Sequence, residues 1–166
     1  MEINIREEEP KDILAVRAIL RAAFPTEAES RLVDALRENG RAVVSLVAVK
    51  GEALGHILFS PVTTAPPSDA GGIGLAPVAV RPNVLSQGIG SKLIQEGLRL
   101  CKELGFDYCV VLGDPVYYRR FGFEKASPFG IRNEYGVDDE FMIIRFAERC
   151  VAGLVQYATE FAIFPV

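Results

Sequence analysis

Two short stretches of the chain combine residue types at spacings that fit chemistry. The first is Ser86-Gln87-Gly88-Ile89-Gly90-Ser91, two glycines one residue apart, just ahead of a run with helical periodicity. Backbone N–H groups at a helix start have no carbonyl one turn earlier to bind, and the helix dipole adds partial positive charge there. Such a turn suits a phosphate group, and glycine lets the main chain approach it with no Cβ between. The second stretch is Tyr117-Tyr118-Arg119-Arg120-Phe121-Gly122-Phe123. A phenol has a reference pKa of about 10, so it keeps its proton at neutral pH and can give a proton or hydrogen bond to a leaving group. Each stretch also has a purely structural reading, as a tight turn in one case and as core aromatics in the other.

Other nucleotide motifs fit the turn poorly. A P-loop needs a glycine five residues before Gly-Lys-Ser/Thr; here Lys92 comes two residues after Gly90, and Leu85 is not glycine. A dinucleotide fingerprint needs a third glycine where this chain has Leu93, and it normally lies in the first strand–helix unit. The single histidine, His56, has no neighbours at metal-ligand spacing, so no metal is expected.

The elements that must position these stretches follow from periodicity. Ile3 and Ile5 alternate with polar neighbours as in a short strand. Residues 10–24 read as a helix with Ile13, Val16, Ile19, Leu20 and Ala23 on one face and Pro10 in its first turn. Residues 26–38 read as a second helix, capped by Thr26 with Glu29 as its capping-box partner. Residues 42–49 and 53–59 form a hairpin pattern around Lys50-Gly51, and 63–72 reads as a loop. A strand at 73–80 leads through the glycine turn into a helix to Leu104, with Ile89, Leu93, Ile94, Leu98 and Cys101 on one face. A buried-type strand at 108–112, a short helix at 116–121 and late strands at 141–146 and 154–157 complete the chain. This order predicts an α/β domain in which a mixed sheet carries helices on both faces.

Bulk properties agree. A chain of 166 residues, 49% hydrophobic and 24% charged, is expected to form one domain spanning 1–166. A net charge of −4 argues against a nucleic-acid surface and suits a cationic partner. No apolar run is long enough to span a bilayer, and the acidic N-terminus lacks a signal-peptide core. Cys101, Cys109 and Cys150, an odd number without CxxC spacing, read as reduced structural thiols of a cytoplasmic protein.

Val78-Ala79-Val80-Arg81-Pro82, a turn, and then Gly88-Ile89-Gly90-Ser91-Lys92-Leu93 resembles the acetyl-CoA-binding motif of the GNAT superfamily of N-acetyltransferases. The tyrosine stretch is similar to that superfamily's Phe-Tyr-x-x-x-Gly-Phe element, and it follows at the right distance. Gly55-His-Ile-Leu-Phe-Ser-Pro and Gly153-x-Val-x-Tyr157 extend the likeness to one bacterial branch. The resemblance implies a mixed, mostly antiparallel sheet and acetyl-CoA or CoA as cosubstrate. It implies that Ser86, Gln87, Gly88, Ile89, Gly90 and Ser91 hold the pyrophosphate through backbone amides. It implies that Val78, Ala79 and Val80 pair with the pantetheine arm, and that Tyr118 is the general acid at the thioester sulfur. Tyr117, Phe121 and Phe123 are left as packing. The pattern departs at Leu85, where the superfamily commonly has Gln or Arg.

The implied reaction is direct acetyl transfer in a ternary complex to a primary amine, on a small molecule or a peptide. An amine of reference pKa about 10.4 is mostly protonated at pH 7, so a base or water must take its proton. Glu29, Asp114, His56 and water are the options; His56 sits in an apolar strand pattern and also reads as structural. A CoA-binding sensor without turnover, or a transferase of another acyl group, remains the alternative. The protein is expected as a monomer or homodimer.

Overall fold

The structure is a computed structural model and describes residues 2–149 and 152–164, which leaves Cys150 outside the described residues. The chain runs β1 (Asn4–Glu7), α1 (Ile13–Ala23), α2 (Ala28–Glu38), β2 (Val44–Lys50), β3 (Glu52–Ala65), β4 (Gly72–Val80), α3 (Ile89–Glu103), β5 (Tyr108–Leu112), α4 (Pro115–Arg119), β6 (Glu124–Lys125), β7 (Ile131–Asn133), β8 (Phe141–Arg145) and β9 (Gly153–Gln156). Short 3-10 turns at Pro10–Asp12, Pro82–Val84, Ser127–Phe129 and Thr159–Ile163 lie between or after them. The hydrogen-bonded strand order is β1-β2-β3-β4-β5-β8-β6, with β9 pairing β3 and β7. It is a mixed, mostly antiparallel sheet, as expected; β4–β5 and β7–β9 are the parallel pairs. By packing, the chain divides into two compact units.

The first unit comprises the residues up to Phe59 and Ala76–Arg99. Antiparallel pairing joins β1 to β2 (Asn4↔Val49 to Glu7↔Leu46) and β2 to β3 (Val44↔Phe59 to Lys50↔Glu52). The predicted Lys50-Gly51 hairpin is thus present, with a register shift between Ala48 and Val49. Alternation along β3 sends Gly55 towards α3, where an added Cβ would meet Ile89 and Leu93 at 3.1 Å. His56 faces the other way, towards Ser45 and Glu8, and Glu8 is held by Arg37 of α2. Helices therefore cover both faces of this part of the sheet. Val16, Ile19 and Leu20 of α1, with Leu32, Val33 and Leu36 of α2, are buried as the helical period requires.

The capping box at the second helix is not formed. α2 starts at Ala28 with Glu27 at the cap, and Thr26 Oγ1 instead accepts the Ala28 N–H at 3.3 Å. The helix begins late for Thr26, so Glu29 lies in the first turn without a capping partner.

The second unit comprises Ser60–Leu75 and the residues from Leu100 onward. The first residues of β4 pair in parallel with β5 (Gly72↔Tyr108 to Gly74↔Val110), and β5 pairs antiparallel with β8 (Tyr108↔Arg145 to Leu112↔Phe141). Thr63, Thr64 and Ala65 extend β3 and pair with β9, so the loop read at 63–72 is shorter than expected. Strands β6 and β7, of two and three residues, are absent from the sequence reading. Their span is too short to show a period, and tertiary pairing alone makes them strands.

Candidate active site

The glycine turn is built in the first unit. Arg81 pins the end of β4: its N–H reaches Leu54 O and its Nε reaches Ala53 O, both at 2.8 Å. Pro82–Val84 then makes a 3-10 turn, and Leu85 leaves it extended with its side chain 60% exposed. Ser86 and Gly88 both take left-handed backbone angles, with φ of 68° and 78°. At Gly88 an added Cβ would meet nothing within 4 Å, so the glycine is required by conformation and not by space. Ser86 adopts the same region with a side chain, at a cost in backbone strain. The first helical bond of α3 runs from Lys92 N to Gly88 O at 3.1 Å, which places Ile89, Gly90 and Ser91 in the turn where helical amides precede the hydrogen-bonded ladder. Ile89 is buried and anchors the turn, while Ser86, Gln87 and Gly88 are exposed. Val78 and Val80 are half-buried on β4 and Ala79 is buried between them. The structure thus brings all nine predicted binding residues onto one strand–turn–helix connection.

Tyr118 belongs to the second unit. Asp114 caps α4, its Oδ1 accepting the Val116 N–H at 3.0 Å, and Pro115 occupies the first turn. One turn on, the Tyr118 N–H meets Asp114 O at 3.0 Å. The Tyr118 ring is 8% exposed. It packs edge-on to Tyr117 at 5.2 Å and to Phe123 at 5.7 Å between centroids. It also lies on the backbone of Gly113, where an added Cβ would sit 2.3 Å from the ring. Burial, with smaller effects from Tyr117 and Cys109, pushes the Tyr118 phenol up to about 12. The hydroxyl therefore keeps its proton across the working range and is available as a donor. Tyr117 and Phe121 pack edge-on at 5.2 Å under the Arg120 guanidinium, and Phe123 is buried, as packing residues should be.

With both segments described, comparison with known proteins identifies the family. The profile of the Acetyltransferase (GNAT) family matches residues 13–123. The chain belongs to the GNAT acetyltransferase family. It is 39% identical over 163 residues to the uncharacterized N-acetyltransferase YhbS of Escherichia coli, covering 95% of this chain and 97% of that protein. The crystal structure of that GNAT protein in complex with CoA superposes with a TM-score of 0.93 at 36% identity, over 100% of this chain and 95% of that one. A GNAT acetyltransferase from Brucella melitensis in complex with acetyl-CoA gives 0.82 at 37% identity, over 96% and 98% of the two chains.

Within this GNAT chain the expected base candidates are not equivalent. His56 is wholly buried; its Nε2 lies 2.8 Å from Ser45 Oγ and 3.4 Å from Glu8 Oε2. Burial, then the charge of Arg37, pulls its pKa down to about 3, so it stays neutral and structural. Asp114 is committed to its cap. Glu29 is left with a buried Oε1 that has no hydrogen-bond partner. The nearby Glu27 and Asp34, by contrast, are paired with arginines. Cys109 is buried and its thiol is pushed well up by burial, and Cys101 is pushed up to about 12 by the same cause. Both are free, as core thiols are. Sequence reading missed Arg81 as the anchor of the turn and Gly113 as the platform of the tyrosine. The second has a signal in hindsight, a glycine between a strand and an Asp-Pro helix start.

Proposed function

We propose that the protein is an N-acetyltransferase that takes acetyl from acetyl-CoA and passes it to a primary amine by direct attack. The observation that carries this reading is the left-handed, exposed glycine turn at the start of the fifteen-residue helix α3. Its backbone offers a concave set of amides for a pyrophosphate, from Ser86 to Ser91. Val78, Ala79 and Val80 supply strand main chain for the pantetheine amides. The amine nitrogen bonds to the thioester carbonyl carbon as the carbon–sulfur bond breaks. Tyr118 donates to the departing sulfur, and the proton lost by the amine passes to Glu29 or water. The phenol is regained from solvent. Neither buried cysteine is needed as an acyl carrier.

No helix among the described residues is long and apolar enough to cross a membrane. Together with free Cys101 and Cys109, this supports a cytoplasmic site of action. One observation favours a second reading, a CoA-binding module without turnover. The family's usual Gln or Arg position is Leu85, whose side chain points to solvent and can make no polar contact.

The test is thermal unfolding with CoA. At about 100 times its dissociation constant, a ligand of the native state adds roughly 2.7 kcal/mol. For a chain of this size that is about 5–10 °C in Tm. No shift with CoA or acetyl-CoA removes both readings; a shift without acetyl-CoA consumption on an amine panel favours the second.

A further inference from the structure

The contact between β3 and the glycine turn is shaped by one extra residue. Ala48 of β2 pairs with Gly55 and Val49 with Ala53, so Leu54 is left over between them and makes a β-bulge in β3. Along a regular strand successive carbonyls point to opposite edges. At the bulge two successive ones, Ala53 O and Leu54 O, turn to the edge that carries β4, and Arg81 takes both. Its backbone N–H donates to Leu54 O and its Nε–H donates to Ala53 O, each at 2.8 Å. The first bond is open to any residue but proline. The second requires a donor at the ε position of the side chain.

The residue after the bulge meets the turn from the sheet side. Gly55 is buried, and an added Cβ would lie 3.1 Å from Ala79 O, Ile89 Cγ2 and Leu93 Cδ1. Ile89 is the buried anchor of the turn, and Ala79 lies on the strand end that leads into it. Ala79 O is main chain and cannot swing aside as a side chain does. The bulged segment therefore fixes both ends of the connection. Arg81 ties down the end of β4, and Gly55 sets how closely the start of α3 approaches the sheet.

Arg81 is also the only basic residue from Val78 to Ser91, so its charge offers a competing account, attraction to phosphates. The geometry favours the strand contact. The side chain is 26% exposed, its Nε–H is engaged by Ala53 O, and the exposed Glu52 carboxylate lies 3.5 Å from the same nitrogen.

We propose that Arg81 and Gly55 are positioning residues for the coenzyme. They hold the main chain of the turn in its binding shape through the bulged strand, and the charge of Arg81 takes no part in recognition. The inference rests on the reading of the turn as a CoA site, and it adds which residues outside the turn set the affinity.

Two neutral replacements separate bond from charge. Glutamine places an N–H donor where arginine has Nε; methionine has similar length and no donor. The CoA dissociation constant is measured by calorimetry, at low and high salt and at a temperature where each variant is folded. Arg81→Met should bind CoA about tenfold more weakly, the upper range for one lost hydrogen bond. Arg81→Gln should stay within about twofold of the parent. Both should keep the parent's salt dependence, because no charge facing the phosphates has been removed. Gly55→Ala pushes the same turn by a few tenths of an ångström and should also weaken CoA about tenfold. Arg81→Gln as weak as Arg81→Met, or a flatter salt dependence in either, assigns the residue to charge and overturns the proposal. So does parental affinity in Arg81→Met or Gly55→Ala with only the unliganded Tm lowered, the mark of a purely structural part. Should Arg81→Met fail to fold, Arg81→Gln still decides by its affinity and salt dependence. A parent that binds no CoA removes the coenzyme reading itself. A parent that binds CoA with all three variants unchanged removes only the positioning role.

Discussion

The glycine turn and the tyrosine segment serve one proposed reaction by opposite means. The turn is exposed and offers main chain; of its residues, only Ile89 is buried. In the tyrosine segment Tyr118 itself is buried and offers one side-chain atom, its hydroxyl, on a ring fixed by a helix cap, two aromatic neighbours and a bare glycine. Recognition by main chain tolerates changes of side chain but not changes of φ. Catalysis by a buried side chain tolerates neither its own replacement nor a shift of its platform. Substitutions therefore have different consequences in the two regions, and the difference can be measured.

The largest effect is expected at the turn. Gly90→Glu places a carboxylate beside the proposed pyrophosphate, and the CoA-induced rise in Tm should vanish while the unliganded Tm stays within a few degrees of the parent. A folded variant with an undiminished CoA shift would move the pyrophosphate elsewhere. Next comes Tyr118→Phe, which keeps the ring and removes the proton donor. Loss of a general acid lowers kcat by roughly 10²-fold or more. CoA binding, read by the same shift, should be unchanged. A rise in KM at constant kcat would instead assign the hydroxyl to substrate binding.

This contrast also explains what the sequence made legible. The three long helices were readable, because burial imposes their period: α3 buries Ile89, Leu93, Ile94, Leu98 and Cys101 as its spacing requires, whereas the end of β3, read as loop from residue 63, was set by its pairing with β9. The GNAT resemblance held because the turn depends on Gly88 at a left-handed position, a requirement that sequence displays directly. Strands β6 and β7 were invisible because they exist only through their partners. The Thr26 cap failed by one residue, within the reach of competing polar groups at a helix start.

A smaller effect is expected from moving the platform of Tyr118. In Gly113→Ala the new methyl would lie 2.3 Å from the ring, so the ring or the strand end must shift. Overpacking of this kind costs typically about 1–3 kcal/mol of stability. If the hydroxyl must be placed to within about an ångström, kcat falls by up to about 10²-fold. Combining the change with Tyr118→Phe distinguishes placement from general damage. Without the hydroxyl, Gly113→Ala should lower kcat no further, and an additive loss would show that Gly113 acts through something else.

The smallest effect is expected at Leu85, and it sharpens the comparison most. If the turn binds through main chain, the residue at the family's Gln or Arg position can be changed freely provided its backbone stays extended. Leu85 has φ −61° and ψ 154°, angles that alanine and arginine adopt without strain. Removing an exposed side chain away from any packed contact usually changes free energies by no more than about 0.5 kcal/mol, or roughly twofold in an equilibrium constant. Leu85→Ala should therefore leave the CoA dissociation constant within about twofold of the parent by calorimetry. Leu85→Arg adds a positive charge near the proposed phosphates, so its affinity should rise modestly at low ionic strength and return towards the parent value in salt. A tenfold loss in Leu85→Ala would mean that the leucine itself touches the coenzyme. The turn would then read the ligand with side chains as the tyrosine segment does, and the division between the two regions would fail.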